Sequence, residues 1–171
     1  MARKTIGDYL REPEPPFALW KDVLDVVFAR VSNEPCLEAI GETARAVYLV
    51  RMFGGELSNG GFHQFLTNSS GAHAQETLEA LRRIGATFSS GLLEQALSLF
   101  PAGKVPKDQH ERIKLLFPIA GRVKELLDDL DRRAYRDIVP VEGGGRESLD
   151  GLLLVYMQTR AADGVIAEPG N

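Results

Sequence analysis

The stretch ELSNGGFHQFLTNSSG, residues 56–71, holds two Asn, three Gly, three Ser, a His, a Gln and a Thr, with Leu57, Phe62, Phe65 and Leu66 as its large apolar residues. Placed on a helix over 61–70, Phe62, Phe65, Leu66 and Ser69 fall at i, i+3, i+4 and i+7 and share one face. His63 and Thr67 share a second face, and Gln64 and Asn68 a third. Asn59 stands ahead of this helix as its expected N-cap, Gly60 and Gly61 permit positive φ or a close crossing, and Gly71 closes it. Two readings follow. In the structural one, the Phe residues anchor a short helix and the amides satisfy backbone groups at a tight turn. In the functional one, Asn59, His63, Gln64 and Asn68 line a polar cleft. The stretch is not a phosphate loop, because no Lys follows the glycines and no strand precedes them.

Working outward, helical periodicity dominates the chain. Residues 1–16 end in the Pro-rich EPEPPF entry and are expected to be extended. A helical domain is expected over 17–163, and a frayed tail over 164–171. Trp20, Leu24, Val27, Phe28 and Val31 make one apolar stripe; Asn33–Pro35 is a stop and a new start. Leu37, Ile40, Ala44, Val47 and Tyr48 make a second, expected to end near Gly54–Gly55. Further stripes run through Ala74, Leu78, Leu81 and Ile84 up to Gly85, and through Leu93, Ala96, Leu97 and Phe100 up to Pro101. Ile113, Leu116 and Phe117 open a helix that Pro118 breaks or kinks. Beyond it come Val123, Leu126, Leu127, Leu130 and Ala134, and then the VPVEGGGRES linker at 139–148, read as flexible. Leu149, Leu152, Leu153, Tyr156 and Met157 make the last helix. The fold expected is a single all-α domain of about six to eight helices, with Leu24, Phe28, Ile40, Val47, Leu81, Leu97, Leu126 and Leu153 in its core.

Composition narrows the function classes. At 171 residues, 44% apolar and 26% charged, the chain suits one well-buried core. No apolar run approaches the ~20 residues of a membrane span. The first 17 residues have two early bases but no apolar run, so no secretory signal is expected. Cys36 is the single cysteine, which excludes an intrachain disulfide and a Cys-cluster zinc site and points to the cytoplasm. The three histidines, His63, His73 and His110, are scattered, without the spacing of a zinc helix. No GxSxG elbow surrounds any Ser, and Cys36 has no partner base near it. No catalytic residue, metal ligand or cofactor is therefore assigned. In KELLDDLDRRAYRD, residues 124–137, Asp128 and Arg132, and Asp129 and Arg133, stand at i, i+4 as a self-paired solvated face.

Charge is uneven. The chain carries net −4, yet residues 12–42 hold seven acids against two bases. That sign opposes direct nucleic-acid binding and suits a basic partner.

ELSNGGFHQFLTNSSG, TLEALRRIGA, the LLDDLD run and the final LLLVYMQ helix, in that order, resemble a bacterial family of DNA-mimic-like proteins over about residues 35–163. The resemblance implies an all-α fold. For at least one member, it also implies an acidic surface that imitates duplex phosphates and occupies a DNA-binding protein. The first functional expectation is thus a non-catalytic interaction module whose acidic face, Glu14, Asp22, Asp25, Glu34, Glu38 and Glu42, meets a basic partner. The alternative is a small-ligand binder or enzyme using the Asn59, His63, Gln64 and Asn68 cleft.

Overall fold

The computed structural model describes Leu37 and residues 41–117, 120–138 and 146–161. Several expectations lie outside the described residues: the Pro-rich entry, the Trp20–Val31 stripe with Leu24 and Phe28, the 33–35 joint, Cys36, Ile40 and the tail. So do five of the six acidic-face positions, Glu14, Asp22, Asp25, Glu34 and Glu38. Glu42, the sixth, is exposed at the start of a helix.

Six α-helices are described: α1 (Glu42–Thr67), α2 (Ala74–Arg83), α3 (Thr87–Leu97), α4 (Gln109–Leu116), α5 (Ala120–Asp137) and α6 (Leu149–Ala161). Short 3-10 turns occupy Ser69–His73 and Pro101–Gly103, and no strand occurs among the described residues. The all-α class is the one the periodicity expects, and the six helices among the described residues fit the expected six to eight. Within this helical domain, contacts gather into two units, one from residues 1–48 and 150–171, the other from 49–149. None of the described helices is long and apolar enough to cross a membrane.

In the first unit, Val47 on α1 is buried, as are Leu153, Tyr156 and Met157 on α6. Ala44 and Tyr48, expected to point inward, are only half-buried; Ala46 and Val47 take the interior positions.

In the second unit, α2 packs on α3 and α3 on α5. Leu78, Leu81 and Ile84 face Leu92, Leu93 and Leu97 in a core where each fully buried large apolar side chain contributes about 1.5–3 kcal/mol. Two backbone bonds close α2, from Gly85 N–H to the Arg82 carbonyl (3.1 Å) and from Ala86 N–H to the Leu81 carbonyl (2.9 Å). Ala86 offers α3 no capping side chain. Glu147 supplies it, taking Phe88 N–H at 2.9 Å and Ser89 N–H at 2.8 Å, one on each oxygen, and the Ser89 hydroxyl as well. Arg146 lies over the Phe88 ring, 4.8 Å from its centroid. The end of the expected flexible linker is therefore tied to α3. For α4 the cap is local: Asp108 accepts from Glu111 N–H at 2.8 Å.

Three helix readings need correction. The second apolar stripe does not end at Gly54–Gly55; α1 continues through both and breaks at Gly60–Gly61 instead. On α5 the buried stripe is Val123, Leu127, Leu130 and Ala134, while Leu126 is half-buried on its flank. On α4 the inward side chains are Arg112 and Leu116; Ile113 is half-buried and Phe117 is 68% exposed.

Candidate functional site

The opening stretch forms a broken helix repaired from outside. Gly61 adopts φ 71° and ψ −163°, a backbone region open essentially only to glycine, so the ladder of α1 is interrupted. A continuous helix would pair Phe62 N–H with the Ser58 carbonyl. Instead, Phe62 N–H donates to Asp131 Oδ1 at 2.7 Å, and the Tyr135 hydroxyl donates to the Ser58 carbonyl at 3.2 Å. Asp131 and Tyr135 are one turn apart on α5, so one face of that helix replaces both halves of the missing bond. The carboxylate lies so close that a methyl on Gly61 would stand 2.3 Å from Asp131 Oδ1. The expected cap from Asn59 is not what meets Phe62 N–H, and Asn59 is exposed.

Beyond the break, Phe62, Phe65 and Leu66 are buried, as their shared face requires. Phe53 packs edge-on against both rings, at 5.8 Å from Phe62 and 5.1 Å from Phe65. The helix stops at Thr67 rather than running to residue 70.

One polar face then closes inward. The Glu56 carboxylate, 8% exposed, accepts from Gln64 Nε2 at 2.6 Å, from Asn68 Nδ2 at 3.0 Å and from Ser70 Oγ at 2.7 Å. Three neutral donors thus satisfy a buried charge. Behind them, the fully buried guanidinium of Arg112 holds the helix end. Its Nε donates to the Leu66 carbonyl, Nη2 to that of Asn68, and Nη1 to those of Pro106 and Lys107, at 2.6–2.9 Å. It supplies partners to carbonyls that a helix terminus leaves unpaired, and places a cation at the negative end of the dipole. Burial pulls Arg112 below its ordinary pKa, and Asp108 pushes the other way. Gly71 leaves room for this: a Cβ there would meet the Leu66 carbonyl at 2.6 Å and Arg112 Nε at 2.9 Å.

The other face opens onto a groove of about 330 Å³. Its walls are Leu116, Phe117, Val123 and Leu127. Among the described residues, the polar ones that border it are His63, Lys124, Asp128 and Asp131. Lys124 Nζ pairs with Asp128 Oδ2 at 2.5 Å. Asp131 is half-buried, and burial raises its carboxyl above the ordinary aspartate pKa. The Phe62 N–H opposes that rise, Asp128 adds to it and His63 opposes it.

The four expected cleft residues therefore part. Gln64 and Asn68 converge on Glu56, His63 is exposed beside the groove, and Asn59 joins neither. The expected Asp129–Arg133 pair forms at 3.5 Å, but Asp128 takes Lys124 and Arg132 turns to Asp129. His73 lies 3.9 Å from Glu76, which Lys107 also approaches at 3.7 Å. Sequence reasoning missed Glu56, Arg112 and Asp131. The one signal for Arg112 was its place four residues before Leu116 on an otherwise apolar face.

No curated protein and no solved structure matches the chain. The family model of DMP19-like proteins matches residues 38–158, which include the broken helix, the Glu56 cluster, Arg112 and the α5 splint. The chain belongs to the DMP19-like protein family.

Proposed function

We propose that the protein is a non-catalytic interaction module that acts in the cytoplasm and offers an acidic face, in place of duplex DNA, to a basic DNA-binding protein. The acidic residues are Glu14, Asp22, Asp25, Glu34, Glu38 and Glu42, from a segment holding seven acids and two bases. One observation carries the choice over the polar-cleft reading: the four expected cleft residues do not converge, since Gln64 and Asn68 donate to Glu56 while Asn59 and His63 are exposed elsewhere. Gln64, Asn68 and Ser70 bind Glu56, and Phe62 N–H binds Asp131. A cleft built on those amides would compete with Glu56 for their donors. Family membership supports the same reading.

The test begins with capture of partners from native cell extract at low and moderate salt. Exposed charges act mainly by steering encounter, so partner retention falls steeply with salt. Replacing Asp22, Asp25, Glu38 and Glu42 by their amides then slows association with the captured partner about tenfold or more, with little change in dissociation. His63→Ala leaves capture intact. An amide variant that binds like the parent, or a His63→Ala variant that loses binding, removes the proposal.

A further inference from the structure

We propose that the groove bordered by Asp131 is a binding site for an apolar organic cation, a primary amine carried on a hydrocarbon body. The cavity, at about 330 Å³, falls within the range of small-molecule sites, and four of the described side chains that wall it are apolar. Among the described residues, two carboxylates one turn apart, Asp128 and Asp131, border it together with the Lys124 ammonium and the exposed His63. That ammonium is already held by Asp128. Asp131, by contrast, forms no ion pair with any described residue. Its Oδ1 is fixed by Phe62 N–H, which leaves the carboxylate positioned before any ligand arrives. Its Oδ2 accepts no hydrogen bond from any described residue. An ammonium donating to Oδ2 with its carbon chain against Leu116, Val123 and Leu127 satisfies both halves of the site. A carboxylate ligand meets two like charges, and a neutral alcohol of the same shape gains the apolar contact without the ion pair.

This site does not depend on the acidic flank of residues 12–42, so it stands or falls separately from the proposed partner. The probes are 2-phenylethylamine, 2-phenylethanol and 3-phenylpropionate, titrated into the full chain and followed by amide chemical shifts and by calorimetry. The amine binds saturably, at least about tenfold tighter than the alcohol, and 3-phenylpropionate does not bind. The shifts centre on Phe62, Leu127 and Asp131. Asp131→Asn keeps an acceptor for Phe62 N–H but removes the charge, so the amine then binds no better than the alcohol. Phe117→Ala, at a largely exposed wall position, weakens amine and alcohol by the same factor. Asp128→Asn, which leaves the Phe62 cap untouched, lowers the preference for the amine in part and serves if Asp131→Asn fails to fold. The proposal is overturned by no saturable binding in the parent, by equal affinity for the three probes, by shifts centred elsewhere, or by an amine preference that survives Asp131→Asn.

Discussion

The two faces of the broken helix carry similar polar residues and meet different fates. On one, Gln64, Asn68 and Ser70 all donate to a buried carboxylate, Glu56. On the other, His63 stays exposed beside a carboxylate, Asp131, that the backbone uses through one oxygen only. A helix interrupted by Gly61 must find new partners for its severed groups, and a polar-rich sequence is the consequence. Polar composition therefore marks a repair. A candidate site arises where the repairing group borders a groove and keeps an oxygen that no described donor takes.

The largest effect expected from breaking this comparison lies on the closed face. Arg112→Ala removes a fully buried side chain that pairs four carbonyls, that of Leu66 in the interior and three partly buried ones. The Leu66 carbonyl is left buried without a donor, the other three lose theirs, and a large side-chain volume is emptied, so the loss is expected to be about 3–5 kcal/mol. Urea denaturation reads it directly, and an unchanged midpoint would mean that water replaces the guanidinium without penalty.

Next comes the break itself. Gly61→Ala combines a backbone conformation that side chains rarely adopt with a clash against Asp131, and should cost about 3 kcal/mol. In the Asp131→Ala background the clash is gone and the strain remains, so the penalty of Gly61→Ala should shrink. Strictly additive penalties in that double-mutant cycle would show that Asp131 does not crowd the break.

Glu56→Gln sharpens the account of the closed face. The three groups around Glu56 all donate, whereas a glutamine brings one acceptor oxygen and an NH₂ that must face other donors. The expected cost is about 2 kcal/mol. Glu56→Gln stability equal to that of the parent would imply that the donors rotate to water.

Much of the frame was legible from local pattern. The Phe62, Phe65 and Leu66 face, the α2 and α3 stripes and the last helix depend on spacing within a few turns, and their burial agrees except at Leu152, which is half-buried. Errors of one position occurred where pattern was ambiguous or misleading. Leu126 and Leu127 are adjacent, and only packing decides which faces in. On α4, the assumption that charge stays outside selected Ile113 and Phe117 over Arg112, an arginine whose four carbonyl partners make burial tolerable. The site was less legible. Asp131 reaches Phe62 across 69 residues and Glu147 reaches Phe88 across 59, and no local periodicity encodes such contacts. Glu56 meets Gln64 and Asn68 only because the helix breaks between them, so the faces of a straight helix do not reveal the cluster.

The smallest effect, and the one that tests the open face, is Asp131→Asn. Asparagine retains an oxygen for Phe62 N–H, so the cap survives; Asp131→Ala, which removes it, should cost about 1 kcal/mol. At neutral pH the asparagine also escapes the desolvation that opposes the aspartate charge, so its stability should lie within about 0.5 kcal/mol of the parent. The pH dependence separates the two. Burial raises the folded-state pKa of Asp131 above its unfolded value, so between those values the native state binds more protons than the unfolded one. Stability from this group therefore falls as pH rises through that window and is regained on acidification. Measured against Asp131→Asn, which has no titrating group there, the parent should gain stability as pH drops through the raised pKa and level off below the unfolded value. Global acid denaturation cancels in the difference because the other carboxylates are common to both proteins. A difference that is flat with pH would show that Asp131 is solvated like a surface carboxylate. A difference of opposite slope would show that the Phe62 N–H and His63 outweigh burial, and the face taken here as open would then be as fully engaged as the one built on Glu56.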